Sequence, residues 1–300
     1  MEPSGVLIIN KPEGMTSHDV VNKMRRLFST RRVGHTGTLD PMATGVLVIL
    51  IGRAAKAAEY LSSDEKGYIA TLRLGTTYDT EDITGAPLTH SDLIPSEDEV
   101  RSAIKSFVGD IMQIPPMYSA LKVNGQKLCD LARSGETIER QARPITIHSI
   151  DVQKCDNPRD YTLTVHCSSG TYIRTLCADI GSALGCGGAM ATLCRTLAGS
   201  FSLENSHTIE EIEAMSPDTR ISLLMPTESL FEGLTELCLP TFYERLCRNG
   251  CEIYLKKIGA SLPIGQRVRL LSQNGDFFAL GEVRDYDGAP AVKAIKLFDI

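Results

Sequence analysis

An α+β fold is predicted from three observations. Strand-like and helix-like segments are mixed along the chain without the regular βαβ alternation of a doubly wound sheet. Every residue from Val46 to Ile51 is apolar, the mark of a strand buried on both faces. The last sixty or so residues are rich in short β-type runs broken by turn dipeptides, which sets them apart as a small β domain.

The elements follow in order. Gly5–Asn10 reads as a strand, and a Lys-Pro-Glu-Gly turn leads to Thr16 or Ser17 as an N-cap. Val20, Val21, Met24, Leu27 and Phe28 recur at helical spacing and leave Asn22, Lys23, Arg25 and Arg26 on the polar face. A glycine-rich loop runs from Gly34 into the Val46–Ile51 strand, a second helix is expected over Arg53–Leu61, and Tyr68–Leu74 is strand-like. Ser96 and Glu99 form a capping box before Val100, Ile104, Phe107 and Val108, with Gly109 placed where a helix stops. Strands are expected at Thr146–Gln153 and Tyr161–Cys167, and a helix from about Tyr172 to Leu184. Residues 204–236 are acidic and largely helical in pattern, Leu237–Pro240 reads as a connector, and a domain boundary falls near 237. Beyond it, Arg267–Leu271 and Phe277–Val283 alternate with turns at Asn274-Gly275 and Asp287-Gly288.

A length of 300 residues and 42% hydrophobic content suffice for one large domain or two. The N-terminus lacks a basic start followed by a long apolar stretch, and Val46–Ile51 is far too short to span a bilayer, so neither secretion nor a membrane is expected. Nine cysteines form no CxxC pair, which speaks for reduced thiols and a cytoplasmic protein. Cys247 and Cys251 are half of a metal site at best, with no second ligand pair to complete it. The net charge of −6 argues at first against a nucleic-acid partner, but it is unevenly spread. Residues 11–56 hold eight Lys or Arg against three acids, whereas residues 57–100 hold ten acids against two bases. The positive stretch surrounds one carboxylate, Asp40.

Pro41 disfavours the α region for Asp40, so a loop presents its side chain next to a rigid strand. Such a group suits catalysis, although an aspartate before a proline also serves to cap a turn. Tyr68 opens an alternating strand, a position usually devoted to core packing.

The run Gly34-His35-Thr36-Gly37-Thr38-Leu39-Asp40-Pro41-Met42-Ala43-Thr44-Gly45-Val46-Leu47 resembles the signature loop of the TruB family of RNA pseudouridine synthases. Four further blocks match in order: Asn10-Lys11-Pro12-Glu13-Gly14-Met15-Thr16-Ser17, Pro116-Met117-Tyr118-Ser119-Ala120-Leu121-Lys122, Arg143-Pro144-Ile145 and Gly170-Thr171-Tyr172-Ile173-Arg174-Thr175. The resemblance implies a mixed-sheet catalytic domain over residues 1–236, with an RNA-gripping insertion at about 110–135, and a PUA-like RNA-binding domain over 237–300. It implies Asp40 as the catalytic nucleophile, Arg174 as its ion-pair partner and Tyr68 as the ring that stacks on the target base and helps remove its C5 proton. His35, Asp82, Tyr172 and Leu193 fall at substrate-binding positions, Asp82 as a second acidic partner of the arginine. Lys11 and Pro12 brace the loop.

The implied substrate is the uridine at position 55 in the T loop of tRNA, flipped out of folded RNA. Breaking the bond from C1′ to N1 and joining C1′ to C5 involves no redox step, so no metal, no cofactor and no obligatory protein partner is expected. The sequence leaves attack on the base and attack on C1′ equally open. Other readings are a guide-RNA-dependent member of the family, a non-catalytic RNA chaperone, and a glycosidase using Asp82 as a second carboxylate about 5 to 10 Å away.

Overall fold

Apolar alternation and capping chemistry account for most of the element boundaries in the computed structural model, which describes residues 3–61, 65–119, 121–123, 125–136 and 138–298. In chain order, β1 (Gly5–Lys11) leads to α1 (Ser17–Leu27), then β2 (Val33–Thr36) and β3 (Thr44–Ile51). A 3₁₀ helix at Gly52–Tyr60 precedes β4 (Lys66–Leu74), and the hairpin β5 (Thr76–Tyr78) and β6 (Pro87–His90) comes before α2 (Glu97–Lys105). Next are β7 (Gly109–Gln113), β8 (Lys122–Val123), β9 (Gln126–Lys127), α3 (Leu128–Arg133), β10 (Arg143–Lys154) and β11 (Asp160–Cys167). α4 (Ile173–Ala183), β12 (Gly188–Ala198) and β13 (Phe201–Ser202) complete the large sheet. Short helices α5 (Ile209–Ala214) and α6 (Pro217–Ser222) lead to β14 (Thr235–Cys238), α7 (Thr241–Arg248), β15 (Ile253–Tyr254), β16 (Arg267–Leu271), β17 (Phe277–Tyr286) and β18 (Ala289–Leu297).

The large sheet runs β1-β3-β12-β4-β11-β10-β7, with β2 and β13 paired to β3 and β12. All its pairings are antiparallel except β3 with β12, where Cys194 faces Thr44 and Arg195 faces Gly45. That parallel contact brings the Asp40 loop beside a strand from the far end of the chain. It also requires glycine at 45: φ is +97°, and a Cβ there would lie 2.2 Å from the Arg195 carbonyl oxygen. One face of the sheet packs on α1, α2, α4 and α5 through Leu7, Met24, Leu47, Leu72, Ile104 and Ile180. The other face, at β1 and β3, is covered by the 3₁₀ helix and the segment after β12. A second, five-stranded sheet, β14-β16-β17-β18-β15, has its own core around Leu270, Phe278 and Val292. Ala57, Phe231, Leu280 and Phe298 join the two units, helped by the ion pair from Lys296 to Glu59 at 2.7 Å.

The capping boxes form as the sequence predicts, Thr16 with Asp19 on α1 and Ser96 with Glu99 on α2. Four details differ. The helix expected at Arg53–Leu61 is 3₁₀, with Ala54 and Ala57 both fully buried at the i, i+3 spacing of that tighter turn. Gly109 does not stop α2, which is capped at Ser106; with φ at +111° it opens β7. Leu237–Pro240 is not a bare connector, because Thr235–Cys238 pairs in parallel with β16. The central strand β12 lacks a sequence signal, since Gly188, Ala189 and Ala191 have low β propensity and only burial holds them extended. No helix among the described residues is long and apolar enough to cross a membrane.

Candidate active site

The Asp40 loop is clamped from below by the β1–α1 segment. Ser17 Oγ accepts from the Leu39 N–H at 2.8 Å and donates to the Leu39 carbonyl at 3.1 Å. The fully buried Lys11 donates to the carbonyls of Pro12 (2.9 Å), Met15 (2.6 Å) and Pro41 (3.2 Å), using all three ammonium protons. The Gly14 N–H shares the Pro41 carbonyl at 2.8 Å. Burial pushes the Lys11 ammonium down to about 8, partly offset by the nearby Asp40 charge. Lys11→Met takes the lysine donor from the Pro12 and Met15 carbonyls and leaves the Pro41 carbonyl with the Gly14 N–H alone, and a stability loss of about 1–3 kcal/mol is expected together with slower turnover, because Pro41 adjoins Asp40. Thermal melts alongside rate measurements check this; an unchanged rate would mean that the loop holds Asp40 without the lysine.

The Arg174 side chain reaches Asp40 from the first turn of α4. Tyr172 is the N-cap of that helix but supplies no side-chain cap; its own backbone is held instead by Gln113, which accepts from its N–H at 2.8 Å and donates to its carbonyl at 3.0 Å. Arg174 is 6% exposed, and its Nε lies 3.0 Å from Asp40 Oδ2 and its Nη1 3.7 Å from Asp82 Oδ2. Nη1 also donates to the Thr80 carbonyl (3.0 Å) and Nη2 to the Tyr118 carbonyl (2.7 Å). Burial pushes the Asp40 carboxyl above the ordinary carboxylate range, and Asp82 adds to that; Arg174, then Lys11, pull the other way.

An open cavity of about 460 Å³ lies over Asp40. His35, Tyr68, Tyr172, Arg174 and Leu193 line it. Tyr68 is 8% exposed, its phenol pushed up by burial and drawn back by Arg195. His35 is held below the usual imidazole range by burial and by Arg195 and His18, so it is neutral at pH 7. Lys11 and Pro12 stay outside the lining, as loop braces.

Asp82 is placed differently from the expected substrate contact. It is 4% exposed and does not line the cavity; Oδ1 accepts from Thr80 Oγ1 at 3.0 Å and the Thr84 N–H at 2.9 Å, so it anchors Arg174 from behind. Nor do the eight basic residues of 11–56 line it: Lys11 is internal and Lys23 pairs with Glu213 at 3.0 Å. The cations that reach the cavity are Lys66, Arg174 and Arg195. Arg195, Gln113 and the pair Tyr118 and Ser119 were not legible as site residues. For Arg195 the one signal was a charge inside an otherwise apolar and small-residue run. Ala120 and Asn124 of the RNA-gripping insertion lie outside the described residues. Among the described residues no group of three or more His, Cys, Asp or Glu could hold a metal ion, and of the two cysteines first considered Cys247 is buried while Cys251 is exposed.

A loop aspartate gripped by a buried arginine, beneath a tyrosine-lined cavity on a mixed sheet with a PUA-like β unit behind it, places the molecule among the pseudouridine synthases. Its fold is similar to that in a Cbf5-Nop10-Gar1 complex (TM-score 0.74, 26% identity, covering 98% of this chain and 84% of that one). It is also similar to a chain in an archaeal box H/ACA sRNP Nop10-Cbf5 complex (TM-score 0.73, 25% identity, 99% and 86% covered). The N-terminal domain model of the TruB family of pseudouridylate synthases matches residues 25–173, and the tRNA pseudouridylate synthase B C-terminal domain matches residues 174–232. Relatives named tRNA pseudouridine synthase B include those of Alkaliphilus oremlandii, 43% identical with 95% of this chain and 94% of that one covered, and of Clostridium kluyveri, 41% identical with 98% and 99% covered. The chain belongs to the TruB family of pseudouridine synthases.

Proposed function

We propose that this chain converts the uridine at position 55 in the T loop of tRNA to pseudouridine, acting in the cytoplasm without a metal, an organic cofactor or a protein partner. The observation that carries the reading is the Asp40–Arg174 ion pair at 3.0 Å at the cavity floor. It keeps one nucleophilic carboxylate available in a desolvated site where burial alone favours the neutral acid. Asp40 adds to the base or to C1′, the C1′–N1 bond breaks, and C1′ rejoins at C5 as the bond to Asp40 is released, which returns the carboxylate. The C5 proton is lost and N1 gains one, so the product is an isomer of the substrate. Tyr68 stacks on the extruded uracil and takes part in removing the C5 proton, while His35, Tyr172 and Leu193 hold the flipped nucleotide.

Two observations favour this reading over its competitors. A glycosidase needs two carboxylates facing its substrate, and Asp82 is turned away behind Arg174. The relatives above 40% identity are named for tRNA, whereas the Cbf5-Nop10-Gar1 and box H/ACA sRNP Nop10-Cbf5 complexes correspond at 25 to 26%. Residues 1–236 form the catalytic domain, the insertion at about 110–135 grips the RNA, and residues 237–300 bind it as a PUA-like domain. The expected result is tritium release stoichiometric with a tRNA transcript labelled at uridine C5, in chelator, with no free uracil. A transcript carrying cytidine at position 55 should release none; release from it, or free uracil, overturns the assignment.

A further inference from the structure

Among the described residues Arg195 is the largest fully buried side chain, 2% exposed, and no carboxylate pairs with it. Its guanidinium donates instead to neutral oxygens, Nε to the Val46 carbonyl at 2.7 Å and Nη2 to the Gly37 carbonyl at 3.2 Å, and the Tyr68 phenol shares the cavity wall with it. The backbone is as tightly placed as the side chain. Arg195 sits directly across from Tyr68 on β4 and from Gly45 on β3, and the register of β12 slips just after it, between Arg195 and Leu197. Such an irregularity re-aims a side chain out of the regular pleat. The guanidinium also lines the cavity that holds Asp40.

A buried cation without an anionic partner is a costly way to fill space, because an apolar side chain of similar volume avoids the desolvation penalty. We infer that Arg195 is a positioning residue for the isomerisation: one rigid fork, bonded to the Gly37 carbonyl of the Asp40 loop and beside the Tyr68 phenol on β4, ties the two together and so sets the ring against the carboxylate. Its charge also favours negative charge on the Tyr68 oxygen, the form able to accept the C5 proton. The inference rests on the part proposed above for Tyr68.

A double-mutant cycle tests it, with single-turnover rates at saturating tRNA, tRNA Kd by filter binding and thermal melts for each variant. Arg195→Lys keeps the charge and loses the planar fork; the rate is expected to fall about 30-fold or more while Kd stays within about threefold. In a Tyr68→Phe background the same substitution is expected to change the rate by less than about threefold, because the tie is already cut. Arg195→Gln, measured in parallel, keeps polar atoms without the charge and should show the same non-additivity. A wild-type rate for Arg195→Lys overturns the inference, and so does an equal loss in both backgrounds, which would confine Arg195 to holding the loop. Loss of folding in both arginine variants, or a rate loss that follows melting and is relieved on cooling, overturns it in favour of a structural role. Failure of the Tyr68 reading is seen separately, as a full rate for Tyr68→Phe alone; that result removes the tie as well.

Discussion

Asp40→Asn is expected to release no measurable tritium, a loss of about 10⁴-fold or more, with tRNA affinity within about threefold of the wild type. The amide has the volume of the carboxyl and can still accept from Arg174 Nε, so the loop and cavity keep their shape. What disappears is the nucleophile. The stability sign is opposite to that of an ordinary salt-bridged aspartate. Burial raises the Asp40 carboxyl above 3.8, so the folded state binds its proton more tightly than the unfolded state. Stability from this group therefore falls as pH rises from the ordinary carboxylate value through the raised one, and the neutral asparagine escapes that loss. At pH 7 the variant should melt at or above the wild-type temperature. Residual turnover within tenfold, or binding lost in step with activity, would displace Asp40 from the centre of the mechanism.

Arg174→Met has the second largest expected effect, on stability as much as on rate. The substitution removes the cation between Asp40 and Asp82 and leaves the carbonyls of Thr80 and Tyr118 without its donors. Breaking a buried pair in this way costs about 3 to 5 kcal/mol, to be read from denaturant unfolding. The Asp40 carboxyl then loses its largest counterweight to burial and rises further. Activity needs the carboxylate, so the acid limb of the kcat/KM profile should move to higher pH in whatever activity remains. Arg174→Lys retains the charge but not the fork that serves Asp40, Asp82 and two carbonyls at once, and should fall between the two. An acid limb that stays in place in Arg174→Met would show that another group controls the ionisation of Asp40.

Much of the local structure was legible because it is decided within a few residues. Thr16 and Asp19, or Ser96 and Glu99, satisfy one another's backbone donors across a single turn, whatever the rest of the chain does. Helical spacing buries Val20, Val21 and Met24 on one face of α1. The unbroken apolar run of β3 could only be stable between two packed faces, and Pro41 kept Asp40 out of a helix. The site was legible to the same extent as its motifs, since Asp40 and Arg174 stand in blocks that resemble a known family and Tyr68 falls at a position the same resemblance implies.

The sequence by itself thus determined that a loop aspartate, a strand tyrosine and a helix-start arginine exist in order, with caps, turns and apolar strands around them. Only the tertiary structure decided who faces whom. The parallel pairing of β12 with β3, which joins segments far apart in the chain, brings Arg195 beside Gly45 and across from Tyr68. Asp82 is turned behind Arg174 rather than into the cavity by hydrogen bonds to Thr80 and Thr84. Lys11, which the sequence marks only as a brace of the loop and one of eight local cations, is drawn inside because three carbonyls converge on its ammonium. The physical reason is common to all three: the position of a charged side chain depends on which polar groups can replace its water, and those groups come from residues distant in sequence.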